Sequence, residues 1–350
     1  MQLNERASRL PLAPILLIAP FFLWGTAMVA MKGVIDHTTP MFMAGVRIIP
    51  AGALILIAGA FMGKPQPSGL KAWLWITLFA LVDGAMFQGF LAQGLVRTGA
   101  GLGSVMIDSQ PLAVALMSLW LFKERIGLWG WLGLSLGVMG ISCIGLPEQL
   151  ILSLISSDVT FKLTELSSLP EALFKSGEWL MLLAALSMAV GTVLIRYVTK
   201  HADPVMATGW HMIIGGLPLW GISAVTETQQ WTNLVSSDWI ALSYATVFGS
   251  AVAYALFFYF ASSGNLTSLS SLTFLTPIFA LCFGNLLLGE VLSSIQWMGV
   301  GLTLISIYLI NQRDILAGTK TKISVKEINA VQQNTVTVPV KRTESEVMRS

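Results

Sequence analysis

The chain has 350 residues, 55% of them hydrophobic and only 11% charged, with a mean hydropathy of +0.74. Soluble domains carry about 25% charged residues, so this composition excludes an ordinary soluble enzyme or binding domain and describes a membrane protein. The net charge of +2 gives no ground for a nucleic-acid partner, and Cys143 and Cys282, both within apolar runs, read as small hydrophobes rather than a disulfide framework.

A membrane-spanning helix needs about 20 predominantly apolar residues. Ten such segments are predicted in chain order, over residues 12–34, 41–62, 72–96, 99–122, 126–146, 179–199, 204–224, 239–262, 266–288 and 292–311. Arg6 and Arg9 precede the first, as in a signal peptide, but the apolar run continues to Val34. That exceeds the roughly 7–15 residues of a signal core, and no cleavage site interrupts it, so it is read as the first helix. On the same reading, the early start of the helix leaves no room for a chloroplast transit peptide to be expected. The connectors "GKPQPSG" and "HADP" carry the Pro, Gly and polar residues of turns in water.

Residues 147–177 form a longer connector, read as an extracytoplasmic loop or interfacial segment. Residues 314–350 are polar and are predicted to be a disordered cytoplasmic tail. Lys and Arg lie in excess on the side of the N-terminus: Arg6, Arg9, Lys64, Lys71, Lys123, Arg125, Arg196, Lys200 and the tail, against Lys32, Arg97, Lys162 and Lys175. The positive-inside bias then places both termini in the cytoplasm, with a bacterial plasma membrane as the expected location.

The sequence repeats itself. Gly25, Thr26, Trp73, Ser104, Pro111, Glu124, Trp131 and Gly133 recur at one constant offset as Gly191, Thr192, Trp239, Ser270, Pro277, Glu290, Trp297 and Gly299. At an offset two residues shorter, Pro40, Gly45, Ile49 and Gly52 recur as Pro204, Gly209, Ile213 and Gly216. Rare Trp, Pro and Glu in one register point to duplication. Residues 1–146 and 178–313 are thus read as two five-helix repeats, and an odd number of crossings per repeat inverts the second relative to the first. The expected fold class is an all-α integral membrane protein of ten transmembrane helices in two inverted five-helix repeats. Such architecture recurs in secondary transporters, with substrate bound near the midplane between the halves.

Pro111 and Pro277 remove backbone donors in apolar runs and are predicted to kink their helices and act as hinges. Glu124 and Glu290 fall just before the fifth and tenth segments, where a carboxylate suits a helix N-terminus, and are read as structural caps.

These residues resemble the EamA family within the drug/metabolite transporter superfamily. "FFLWGTAMVAMKGVIDHTTPMFMAGVRIIPAGAL" is similar to its first-repeat pattern of Trp-Gly, Lys, Pro and Arg, and "GTVLIRYVTKHADPVMATGWHMIIGGLPL" to the second-repeat counterpart. The series Pro277, Gly289, Glu290, Trp297 and Gly299 resembles the best-marked stretch of the family. The resemblance implies a ten-helix carrier, commonly an exporter of amino acids and other metabolites, with a central cavity. The sequence departs from the family pattern at Lys123, where Gly is usual, and at His211, where Gln is common.

A charge at bilayer depth costs at least about 2.5–3.5 kcal/mol on insertion scales and therefore faces a cavity or a partner. Arg47, Asp83, Asp108 and His211 meet that description. Arg47 is a candidate for an anionic substrate group, or else a fixed salt bridge to Asp83 or Asp108. Asp83 and Asp108 are candidates for a coupling proton, because desolvation disfavours an ionised carboxylate, and His211 titrates near physiological pH when unperturbed. Gln110 and Thr276 add hydrogen-bonding capacity beside the two prolines. Lys32, near a helix end, is read as a snorkelling structural residue.

His37, His201 and His211 have no metal-ligand spacing, and neither a nucleophile elbow nor a phosphate-cradling loop occurs in the sequence, so an enzyme, a metal site and a cofactor are not expected. The implied partners are a small-molecule substrate and the lipid bilayer, with a homodimer open as an assembly. A passive facilitator and a membrane receptor or assembly protein are the alternative functions.

Overall fold

The computed structural model describes residues 12–122, 127–145, 177–263, 275–289 and 293–316, with residues 269, 272, 273 and 291 between them. All regular structure among the described residues is helical. In chain order the helices are α1 (Leu12–Val34), α2 (Pro40–Phe61), α3 (Leu70–Arg97), α4 (Ala100–Ile107), α5 (Gln110–Phe122) and α6 (Leu128–Gly145). They continue with α7 (Gly177–Val198), α8 (Pro204–Thr226), α9 (Ser236–Ser262), α10 (Leu275–Leu288) and α11 (Ser294–Leu316). Among the described residues, seven segments are long and apolar enough to cross a membrane: α1, α2, α3, the stretch through α4 and α5, α7, α8 and α9. The chain is an integral membrane protein.

Local chemistry sets the helix ends. Pro40 and Pro204 each open a helix at a position where no intrahelical N–H is needed. Asp203 caps α8, its Oδ1 accepting from the backbone N–H of Val205 at 2.9 Å and of Met206 at 3.3 Å. α2 stops at Gly63, whose φ of 68° opens the way for the Lys64 N–H to reach the Gly59 carbonyl at 2.9 Å. Large apolar side chains such as Ile57, Leu74, Leu217 and Ile240 point outward, since lipid solvates them, while the interior is packed with Ala, Gly, Met and Phe.

α3 and α9 share an irregularity. Each carries an eight-residue π-helical stretch, Ala80–Phe87 in α3 and Ala245–Val252 in α9. Such bulges shift the face a helix presents and recur at functional sites.

Two pairs of helices that correspond in the repeat pack against each other, and both pairs run antiparallel. Along α2 and α8, Gly45 meets Trp220, Gly52 meets Gly209 and Met212, and Gly59 meets Met206, so that position rises on one helix as it falls on the other. A Cβ on Gly52 would stand 2.6 Å from the Gly209 carbonyl oxygen, and the approach therefore requires glycine. Along α6 and α11, Gly133 meets Ile310, Gly137 meets Ser306 and Gly140 meets Thr303 and Gly299, in the same sense.

The prolines differ from expectation. Pro111 and Pro277 are the second residue of α5 and the third of α10. Each therefore stands in a first turn, where its missing N–H leaves no bond unmade, rather than inside a continuous helix. Ahead of Pro111 the helix is interrupted by a turn at Asp108 and Ser109, between α4 and α5. Among the described residues, the prolines inside continuous helices are Pro20, Pro50 and Pro218. The last helix also runs on to Leu316, beyond the expected start of the tail. Glu124, Glu290, most of the 147–177 connector and the remainder of the tail lie outside the described residues.

Candidate functional site

Arg47 lies on the inner face of α2 and is 3% exposed. Its Nη1 donates to Ser250 Oγ at 2.7 Å and its Nη2 donates to Gln88 Oε1. The Gln88 amide group donates in turn to the Tyr254 hydroxyl at 2.8 Å, which fixes the carboxamide orientation: oxygen toward Arg47, nitrogen toward Tyr254. Ser250 is set by the π-helical stretch of α9, its hydroxyl donating to the Ala245 carbonyl five residues back at 2.9 Å and leaving its lone pairs for Arg47. The guanidinium is thus held by neutral groups from α3 and α9. No described carboxylate pairs with it, so the salt bridge to Asp83 or Asp108 weighed from sequence is not formed.

Arg47 lines a cavity of about 40 Å³ together with Trp24, Ser104, Asp108, Tyr254 and Thr276, and with Met28, Met31, Phe87, Leu91 and Met188 among its apolar walls. Three polar groups on this cavity have no partner in the structure: Trp24 Nε1, Arg47 Nε and Thr276 Oγ1. Trp24 is held edge-on against Tyr254 and tilted against Phe257, with centroids 5.2 and 4.9 Å away. Unmade hydrogen bonds of this kind are costly when buried and call for an explanation. Two of them are N–H donors and the third is a hydroxyl that can donate, so each suits an acceptor such as a carboxylate.

Asp108 faces the same cavity from the end of α4. Its Oδ2 accepts from Ser104 Oγ, one turn earlier, at 3.0 Å. A carboxylate at a helix C-terminus opposes the helix dipole, so the position is unfavourable unless a cation or a proton offsets it. One cavity therefore has a guanidinium on one wall and a carboxylate on another. Ligand pockets usually enclose about 300–1,000 Å³, and this cavity is far smaller.

Asp83 and His211 sit elsewhere. Asp83, in the π-helical stretch of α3, places Oδ2 3.1 Å from His211 Nε2 on α8, and the two residues are 0% and 1% exposed. His211 Nδ1 lies 2.6 Å from the Thr208 carbonyl, an acceptor, so Nδ1 carries a proton. Phe79 stacks on the imidazole at 4.1 Å between centroids, and Phe258 meets it edge-on at 5.6 Å. Gly191 of α7 leaves the space that Asp83 fills; a Cβ there would run into the carboxylate.

Of the residues singled out from sequence, Arg47, Asp108 and Thr276 converge on one cavity and Asp83 joins His211 in a separate pair. Gln110 is buried at the start of α5, and neither its Oε1 nor its Nε2 has a partner. Lys32 is tied down rather than snorkelling, its Nζ donating to the Leu95 carbonyl at the end of α3 at 2.9 Å. Ser250 and its link to Arg47 had no sequence signal, because a lone Ser in an apolar run reads as packing.

Comparison with known proteins decides the family. The model of the EamA-like transporter family matches residues 11–146 and again residues 175–312. The chain belongs to the EamA-like transporter family. An uncharacterised transporter of Synechocystis is 60% identical over 94% of this chain and 97% of its own length. A WAT1-related chloroplastic protein of Arabidopsis thaliana is 53% identical over 84% of this chain and 68% of its own. The Escherichia coli inner membrane transporter YedA is 26% identical over 84% of this chain and 89% of its own. A solved crystal structure with 16% identity superposes with a TM-score of 0.60, covering 85% of this chain and 96% of that one, and shares the fold. As an EamA-like protein, the chain is a membrane transporter and not an enzyme, and the buried polar cavity is to be understood in those terms.

Proposed function

We propose that this transporter is a secondary carrier, exporting small metabolites such as amino acids or related organic compounds by alternating access with proton coupling. The observation that carries the substrate class is the small cavity with Arg47 on one wall and Asp108 on another, beside the unpartnered Trp24 Nε1 and Thr276 hydroxyl. A zwitterion presents a carboxylate to the first and an ammonium group to the second. The direction of transport rests on the family resemblance alone.

The alternating mechanism is supported by the antiparallel packing of α2 on α8 and of α6 on α11. Two copies of one unit that meet head to foot agree with ten spans in two inverted repeats, covering residues 1–146 and 178–313, with both termini in the cytoplasm. Opening the cavity to either side then becomes the same rearrangement performed by opposite halves. The short turn that joins α4 and α5 ahead of Pro111, with its repeat counterpart at Pro277, is the proposed hinge.

The test begins with a comparison of metabolites inside and outside cells that carry or lack the gene. The changed compound is then assayed for counterflow in proteoliposomes of the full chain. Counterflow reduced about tenfold or more by Arg47→Gln is expected; a substrate without an anionic group, handled equally by wild type and variant, would sink the assignment of Arg47.

A further inference from the structure

The closed pair formed by His211 and Asp83 is not used by substrate recognition, and its geometry points to a second role. We propose that it is the proton-binding site of the transporter, separate from the Arg47 cavity and mechanically tied to it through α3. The proposal deepens the carrier reading and rests on it.

With Nδ1 already protonated toward the Thr208 carbonyl, the 3.1 Å contact of Nε2 with Asp83 Oδ2 needs one further proton between them. An imidazole lone pair and a carboxylate oxygen otherwise repel. The pair with that one proton is neutral overall, the form that its burial between Phe79, Phe258 and the Gly191 backbone favours. Asp83 Oδ1 is buried and has no hydrogen-bond partner, which marks it as the oxygen available to a second proton. Binding that proton gives imidazolium beside carboxylic acid, one positive charge more; releasing it restores the neutral pair.

Arg47 from α2, Asp108 at the end of α4 and Asp83 itself lie within electrostatic reach of Tyr254 on α9, and α7 packs the Gly191 backbone against the Asp83 carboxylate. The mechanical link runs along α3, where Asp83 and Gln88, the partner of Arg47, stand five residues apart and flank the end of one π-helical stretch. Five residues are one hydrogen-bonded turn of a π-helix, and reverting that turn to α-geometry re-aims one of the two side chains relative to the other. Breaking the contact of Asp83 with His211 thus disturbs the grip of Gln88 on Arg47, and the reverse.

The experiment uses the proton as ligand, on the full chain in lipid nanodiscs, by infrared difference spectroscopy across a pH titration. A protonated-carboxyl band that rises in acid is expected. It should vanish in Asp83→Asn, persist in Asp108→Asn, and move by about one pH unit or more in His211→Gln. Both pair substitutions keep side-chain size and hydrogen-bonding capacity, and a monodisperse elution profile establishes that each variant is folded. A carboxyl region that does not change with pH, or a band that survives Asp83→Asn, overturns the site. Intact bands with no counterflow of any metabolite would instead overturn the carrier reading on which the coupling depends.

Discussion

The Arg47 guanidinium is gripped by the Gln88 carboxamide, and no described carboxylate reaches it. A positive charge inside the membrane has thus been stabilised only as far as neutral dipoles allow. Insertion scales put the cost of such a charge at about 2.5–3.5 kcal/mol, and a residue kept there solely to hold helices together would have a carboxylate beside it.

From this follows an asymmetry between stability and activity. Arg47→Gln should leave the thermal midpoint of the detergent-solubilised protein unchanged or raised, while reducing substrate counterflow by about tenfold or more, the equivalent of about 1.4 kcal/mol, the order of one charged hydrogen bond. Arg47→Lys should rescue little, because a point charge cannot donate to Ser250, Gln88 and a ligand in the planar arrangement used here. A lowered midpoint in Arg47→Gln would show that the residue is a structural tie.

The glycines of α2 and α8 make a second, purely structural prediction. Gly52→Ala places a methyl group 2.6 Å from the Gly209 carbonyl and should destabilise by about 1–3 kcal/mol, through overpacking of a rigid backbone contact. Gly221→Ala, on the same helix pair but facing open space, should be neutral or slightly stabilising. Equal midpoints for the two variants would mean that α2 and α8 are not in contact.

Much of this framework was legible in the sequence, and particular residues explain why. The offset recurrence of Pro40 and Gly52 as Pro204 and Gly216 marks the faces on which α2 and α8 meet, because close helix approach in lipid tolerates few residue types. Arg47, Asp83, Asp108 and His211 stood out because a charge in an apolar run is rare. How they pair was not legible. Ser250 reaches Arg47 only because α9 bulges into π geometry, and Gln88 and Asp83 are set relative to one another by the same device in α3. A π bulge depends on packing against neighbouring helices rather than on a composition that periodicity can detect. Pro111 and Pro277 were misplaced for the related reason that an apolar run does not reveal where a helix within it restarts.

The ends of α2 allow a test of sidedness. His37 contacts Asp238 at 3.0 Å at one end, and Lys64 contacts Asp203 at 3.4 Å at the other. In a background with Cys143 and Cys282 replaced, cysteines at positions 38 and 230 should react with an impermeant thiol reagent from one side of the membrane only. Cysteines at positions 64 and 203 should react only from the other side. Labelling of all four from one side would rule out head-to-foot repeats.

Glu227 supplies a final prediction. Its two carboxylate oxygens accept from the backbone N–H groups of Met41 and Phe42 at 2.9 and 3.0 Å, so the residue after α8 caps the start of α2. Glu227→Ala should cost about 0.5–2 kcal/mol, as for other lost N-caps. Hydrogen exchange should show the loss as faster opening of the first turn of α2, with the far end of the helix unaffected.

The head-to-foot contact of α2 with α8 has a consequence for how the protein is made. Gly45, Gly52 and Gly59 leave a surface that only a segment synthesised more than a hundred residues later can fill. During translation the early helices must wait in lipid with that seam uncovered. The finished interior is then assembled by sideways docking within the bilayer rather than in order of emergence. The two halves, expressed as separate polypeptides in one cell, would find each other through the same seam.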